Sequence, residues 1–200
     1  MPDNTESELI ARFKAGDLFV FNLITRMWYE KILSFLYRFL ADIDESEDVC
    51  QKTFITAYSR LNQLNENDKF APWLYRIAHN CALDHVRDRK NGFGNKGWVP
   101  REEGTDWTSD LPETDPVDLE GRIDGIALRR LCERALTSIP DEQRVVIVMK
   151  LYQDLKFTEI AEILSVPVNT VKTRMYTGLR GLKESLNKNR FIEEILRNAM

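Results

Sequence analysis

Residues 157–182 read "FTEIAEILSVPVNTVKTRMYTGLRGL", two short helical patterns separated by a turn. Ile160, Ala161 and Leu164 recur at helical spacing, and Thr158 stands where a first helix would take its cap. Pro167 in "SVPV" lacks an N–H and restricts the residue before it, so the first helix has to stop there. Asn169 or Thr170 is then placed to cap a second helix, with Val171 and Met175 pointing inward and Leu179 and Leu182 continuing the apolar face. Two short helices joined by a tight turn form a helix-turn-helix, whose second helix enters the DNA major groove. Small Ala161 near the crossing lets the helices approach. Lys172, Thr173, Tyr176, Thr177 and Arg180 face outward, with donors and an aromatic ring suited to base edges and phosphates. A plain helical hairpin would need none of this basic face. Arg174 is equally placed for a salt bridge within its own domain.

Outward from this motif, helical periodicity persists and no period-two run stands out, so the expected fold is all-α. A short helix is expected over 6–14, broken by Gly16 and Asp17. A long apolar-rich helix then runs to about Leu40. After the polar break "ADIDESED", with Asp44 or Ser46 as cap, a helix follows over 45–60, and another over 69–90. The stretch 91–118 holds four glycines, three prolines and seven acids, and cannot bury a core. Helices return over 123–138, 141–152, 158–164 and 169–186, with Pro140 expected in the first turn of the second, followed by dipole-complementing Asp141 and Glu142. The organisation read from this is a first helical domain over 1–90, a flexible acidic linker over 91–122, a second helical domain over 123–187 and an amphipathic tail over 188–200.

The net charge of −4 argues on its face against nucleic acid, but it averages a gradient. Residues 1–90 carry −2, residues 91–120 carry −6 and residues 121–200 carry +4. A basic working surface can sit on an acidic chain. Three widely spaced cysteines, Cys50, Cys81 and Cys132, argue for a reducing compartment rather than a disulfide framework. No apolar span is long enough for a membrane and the start lacks an export pattern, so a cytoplasmic protein is expected.

Within "KFAPWLYRIAHNCALDHVRDRK", residues 69–90, Trp73, Arg76, Asn80, Asp84 and Arg87 share one stripe, with Leu74, Ile77, Cys81 and Val86 on or near the other side. His79, Cys81, Asp84 and His85 also cluster here. Cys81 and His85 could share a metal, but His79 lies ~120° away around the helix and cannot easily complete the set. No phosphate loop, nucleophile elbow or zinc-protease motif occurs, so no enzyme, metal or cofactor is expected. A metal hydrolase built on His79, Cys81 and Asp84 remains a competing reading, as does a helix-turn-helix repressor or activator that acts without polymerase.

Taken together, "EDVCQKTFITAY" (47–58), "FAPWLYRIAHNCALDHVR" (70–87) and "IPDEQRVVIVMKLYQDLKFTEIAEILSVPVNTVKTRMYTGLRGL" (139–182) resemble, in order and at the expected separation, regions 2 and 4 of bacterial RNA polymerase sigma factors of the extracytoplasmic-function class, group IV of the sigma-70 family. The resemblance covers about residues 8–90 and 123–186. It implies a subunit that binds core RNA polymerase through the clamp helices of the largest subunit and the flap, reads the −35 and −10 promoter elements, opens the duplex, and is held by an anti-sigma partner. By resemblance, Asp48, Gln51 and Phe54 match the clamp interface, where an exposed Phe beside an acid and an amide suits docking. Lys52 stands where relatives usually have an acid. Arg76, Arg87, Arg89 and Lys90 would lie along phosphates of the −10 element, and Asn80 would meet a base edge. The loop 64–69, with Asn65 and Asn67, would build the pocket for a flipped base. Trp73 is read as a packing residue, and Asp84 as holding Arg87 or Arg76. Asn169, Thr170, Lys172, Thr173, Tyr176, Thr177 and Arg180 would serve the −35 element, with Thr177 often arginine in relatives. Ser165 replaces the common turn glycine, which requires a left-handed backbone there. The acidic linker would thread through the polymerase, imitating nucleic acid.

Overall fold

The computed structural model describes residues 4–90 and 132–187, and all regular structure among them is helical. The expected linker over 91–122, the start of the helix expected over 123–138 and the tail over 188–200 lie outside the described residues. Helix α1 covers Asn4–Lys14, α2 Phe21–Leu40, α3 Ile43–Arg60 and α4 Phe70–Lys90. A helical piece over 132–137 precedes α5 (Asp141–Leu151), α6 (Phe157–Leu164) and α7 (Val168–Asn187).

The first domain is built on α2. Ile24, Ile32, Phe35 and Leu36 bury one face of this helix against α3 and α4, where Val49, Phe70 and Leu74 are also fully buried. Helix α1 lies across this bundle on Leu9, Ile10 and Phe13, and the Trp28 Nε1–H donates to the Glu6 carboxylate at 2.8 Å. Ala41 ends α2 in the left-handed region at φ 59°. Asp42 then swings to an extended backbone and accepts from the Glu45 N–H at 2.9 Å, so α3 starts at Ile43. The cap is therefore Asp42 rather than Asp44 or Ser46, because only a residue outside the helix can turn its side chain back onto the free N–H groups.

In the second domain, Pro140 sits one position before α5, and its carbonyl accepts from Gln143 and Arg144 at 2.9 and 3.0 Å. Thr158 lies inside the first turn of α6. The terminus is instead closed by the Glu159 carboxylate, which accepts from the Lys156 N–H at 2.6 Å. At the motif's turn, Ser165 is left-handed at φ 55°, as the missing glycine requires, and the Val166 N–H reaches back to the Ala161 carbonyl at 3.1 Å. The Pro167 carbonyl receives the Thr170 and Val171 N–H groups, so α7 opens at Val168 and neither Asn169 nor Thr170 is its cap. Gly178 is buried where α7 crosses α5, and a Cβ there would stand 2.7 Å from Ile147 Cδ1 and 3.1 Å from Gln143 Cβ.

The two domains pack on each other. Helix α4 lies on α6 and α2 lies on α5, and their apolar residues form one continuous cluster. Tyr75 Oη donates to Gln153 Oε1 at 2.5 Å, and Arg144 donates to the Phe39 carbonyl at 2.7 Å. The Arg38 guanidinium stands 4.3 Å from the Tyr152 ring centroid. His79 is buried beside Phe39, its ring 6.0 Å away. Burial, with the charge of Arg174 adding to it, lowers the His79 pKa from 6.5 to about 4.

Gly178→Val is expected to lower the stability of the second domain by about 2 kcal/mol, since added volume has nowhere to go between α5 and α7; a thermal midpoint equal to wild type would contradict this packing. The depressed His79 pKa means that the unfolded chain takes up a proton that the folded chain refuses. Stability is accordingly full above pH 6.5 and falls as the pH drops toward about 4. The loss attributable to His79 is on the order of 3 kcal/mol, and denaturant titrations at pH 7 and pH 4.5 should show a smaller drop for His79→Leu than for wild type.

Candidate nucleic-acid and partner interface

Helix α7 turns Val171 and Met175 into the core, which leaves the opposite side free. Lys172, Thr173, Tyr176 and Arg180 are exposed, Tyr176 to 65%, as is Asn169 in the first turn. Thr170 and Thr177 are half-buried at the edges of this face. The Thr173 hydroxyl donates to the Asn169 carbonyl at 2.9 Å and that of Thr177 to the Thr173 carbonyl at 2.8 Å, which presents the oxygens' lone pairs outward. Arg174 donates to the Glu142 carboxylate at 2.5 Å and so serves its own domain. Leu179 does not continue the apolar face: it is 38% exposed, while Leu182 packs against the core.

Helix α4 divides its circumference differently from the sequence expectation. Arg76 and Asn80 are exposed, and Arg87 pairs with Asp84 at 3.0 Å on the same exposed stripe. Trp73 is half-buried with its ring 5.7 Å from Phe70, as a packing residue. Arg89 belongs to another side of the helix. It reaches the Glu45 carboxylate of α3 at 3.1 Å, next to His85, whose Nε2 lies 3.3 Å from the same carboxylate. Two residues on from Arg87 is roughly 200° around the helix, which takes Arg89 off the stripe. Lys90 ends α4, and its side chain lies outside what is described. Among the described residues no group of three or more His, Cys, Asp or Glu stands close enough to hold a metal, and no helix is long and apolar enough to cross a membrane.

A cavity of about 240 Å³ opens beside α4. Asn65 and Glu66, both exposed, form one wall, and Trp73 and Arg76 form another. Asn67 is not on it. Its side chain turns to α1, where Oδ1 accepts from Lys14 at 2.6 Å and Nδ2 donates to the Ser7 carbonyl at 3.4 Å. The cavity's remaining edge is Glu162 of α6, whose carbonyl accepts a hydrogen bond from the Arg76 guanidinium. No local pattern marks Glu162 for this position, since 86 residues separate it from Arg76.

A larger groove of about 600 Å³ runs between α2 and α3. Asp48 and Gln51 stand exposed on its rim. Phe54 is only 7% exposed and forms part of the floor, stacked on Tyr29 with centroids 6.3 Å apart, so the expected exposed Phe is a buried one. The exposed apolar surface of the groove comes instead from Ile55, 63% exposed, and Tyr58, with Asn22 and Thr25 of α2 on its walls. Residues of α3 one turn apart share a face, which marks Ile55 as a neighbour of Gln51. What hides Phe54 is Tyr29, from a different helix.

Comparison with known proteins gives the family of both halves of the chain. Residues 24–92 match the sigma-70 region 2 family and residues 129–182 match sigma-70 region 4. The ECF RNA polymerase sigma factor SigW of Bacillus subtilis is 36% identical over 177 residues, covering 88% of this chain and 94% of that protein. The RNA polymerase sigma factor YlaC of the same organism is 30% identical, covering 85% of this chain and 94% of its own length. In fold, the chain is similar to CnrH in its complex with the cytosolic domain of CnrY (TM-score 0.65, 19% identity, covering 93% of this chain and 99% of that one). It is likewise similar to the sigma factor RpoE solved with the anti-sigma factor NepR from Bartonella quintana (TM-score 0.64, 18% identity, covering 85% of this chain and 98% of that one). With region 2 carrying the α2–α3 groove and the α4 cavity, and region 4 carrying the exposed face of α7, this chain belongs to the ECF sigma factors of the sigma-70 family.

Proposed function

We propose that this chain is a promoter-specificity subunit of bacterial RNA polymerase, with no active site of its own, working in the cytoplasm. The observation that carries the reading is the cavity between the Asn65–Glu66 wall and Arg76, at the base of a helix that also exposes Asn80. Hydrogen-bonding groups on the wall suit a flipped base, and cations beside it suit the strand's phosphates. Asn80 reads the adjoining base, and Arg76 and Arg87 follow the backbone once the duplex is open. The exposed face of α7, with Lys172, Thr173, Tyr176 and Arg180, docks in the major groove at −35. The α2–α3 groove, with Asp48, Gln51, Ile55 and Tyr58, takes the polymerase clamp. An anti-sigma partner acts by covering these surfaces.

The packed state has a consequence for this cycle. With Arg76 bonded to the Glu162 carbonyl and α6 on the cavity's edge, region 4 has to move off α4 before a melted strand can enter. Binding to polymerase supplies the energy for that separation, because −35 and −10 contacts on one promoter cannot both form while α4 and α6 touch.

Run-off transcription with core polymerase tests the proposal: promoter-specific transcripts are expected only when chain and core are both present. Tight binding of duplex DNA by the chain alone, without such transcripts, would mark a helix-turn-helix regulator instead. Replacing both Lys172 and Tyr176 by Ala is expected to reduce −35-dependent transcription at least tenfold while core binding stays intact, since each lost groove contact costs about 1–3 kcal/mol. For Asn80→Ala, permanganate footprints should weaken at the melted bases more than closed-complex formation does; an equal loss in both steps would move Asn80 out of strand capture.

A further inference from the structure

Lys14 is the last residue of α1 and has no counterpart in the surfaces assigned above. Its ammonium donates to the Leu64 carbonyl at 2.5 Å and to Asn67 Oδ1 at 2.6 Å, across 50 and 53 residues of chain. No carboxylate pairs with it among the described residues. A long, rotamer-rich side chain is thus immobilised on two neutral acceptors, and those acceptors bracket Asn65 and Glu66, the cavity wall. Leu64 and Glu66 have extended backbones, and the described backbone bonds flank this stretch, from the Leu64 N–H to Leu61 and from the Lys69 N–H to Glu66. Asn67 Nδ2 donates on to the Ser7 carbonyl, so α1 holds the loop twice. Helix α1 is itself anchored by Ile10 and Phe13 in the core and by the Glu6–Trp28 bond.

We propose that Lys14 is a positioning residue for −10 strand capture: α1 acts as a strut, and Lys14 with Asn67 sets the reach and orientation of the Asn65–Glu66 wall. This rests on the promoter-reading function above. A wall that must meet a base by hydrogen bonds has to be held in place before the base arrives, because ordering it at that moment would subtract from the energy available for melting. A lysine suits the task. Its three donors can hold a backbone carbonyl and an amide together on both sides of Asn65 and Glu66, whereas the Lys69–Glu66 pair at 3.2 Å and the Asn67–Ser7 bond each hold one side.

The test uses the full chain and a template that gives a core-dependent run-off transcript, with Lys14→Met, Asn67→Ala and the double variant. Breaking charge-assisted hydrogen bonds of this kind is expected to lower open-complex formation about tenfold. Core binding and closed-complex affinity should stay within about twofold, and the double variant should be no worse than the poorer single one, because both changes remove the same tie. Amide hydrogen exchange at 64–67 in the free chain should speed up in both single variants. A direct phosphate contact by Lys14 would behave differently: closed-complex affinity would fall and its salt slope would drop by about one. That result, additive losses in the double variant, or unchanged exchange at 64–67 would each overturn the proposal. A wild-type chain giving no core-dependent transcript would remove the promoter-reading function, and the exchange measurement would still decide whether the strut exists.

Discussion

Helix α4 has to share one circumference among three neighbours. Leu74, Ile77 and Ala78 fill the region 2 core, Tyr75 and Arg76 reach region 4, and Asn80, Asp84 and Arg87 face outward. A helix offers only about 100° of arc per residue step, so a side chain given to one neighbour is withheld from another. That competition explains why the cations proposed to follow phosphates are not equivalent. Arg87 is held outward by Asp84, Arg76 is engaged by a carbonyl of the other domain, and Arg89 is committed to Glu45. The positive charge that α4 leaves unpaired is therefore smaller in the packed chain than its composition implies.

Contact between the domains is polar at its edge and apolar within. The Arg144 guanidinium is drawn out of water onto the Phe39 carbonyl, the Ile139 carbonyl and Asp141, and burial lowers its pKa despite the nearby carboxylate. Partly satisfied buried charges are poor glue, since desolvation offsets much of the attraction. Such an interface specifies one arrangement without making it hard to leave, which suits a protein that has to span two promoter elements. The Arg38–Tyr152 contact lies at the wet margin, with Tyr152 44% exposed, whereas Tyr75 is only 3% exposed and its bond to Gln153 is one that separation of the domains has to replace with water.

The surfaces assigned to polymerase and to DNA also differ in how they are built. The α2–α3 groove is a floor of packed aromatics, Tyr29 and Phe54, under a polar rim. The α7 face exists because Gly178 lets that helix approach α5 closely enough to bury Val171 and Met175, leaving the remaining residues no inward option. The loop wall at Asn65 and Glu66 is neither. It is a short extended segment with few bonds of its own and depends on groups from α1.

Short-range regularities were legible in the sequence alone. Helical spacing identified the helices, Pro167 and the αL demand at Ser165 identified the motif's turn, and the stepping of Lys172, Tyr176 and Arg180 identified an outward face, because all of these are decided within a few residues of chain. Those readings agree with the structure, and so does the packing role of Trp73. Caps were misplaced by two to four residues, since a cap depends on where the backbone leaves the helix rather than on which polar residue is nearest. The roles of Asn67, Arg89, Phe54 and Glu162 were decided only in the tertiary structure. Each turns on a partner 25 to 86 residues away. Exposure, and with it availability to DNA or a protein, belongs to the pair and not to the residue, so no local pattern could have contained it.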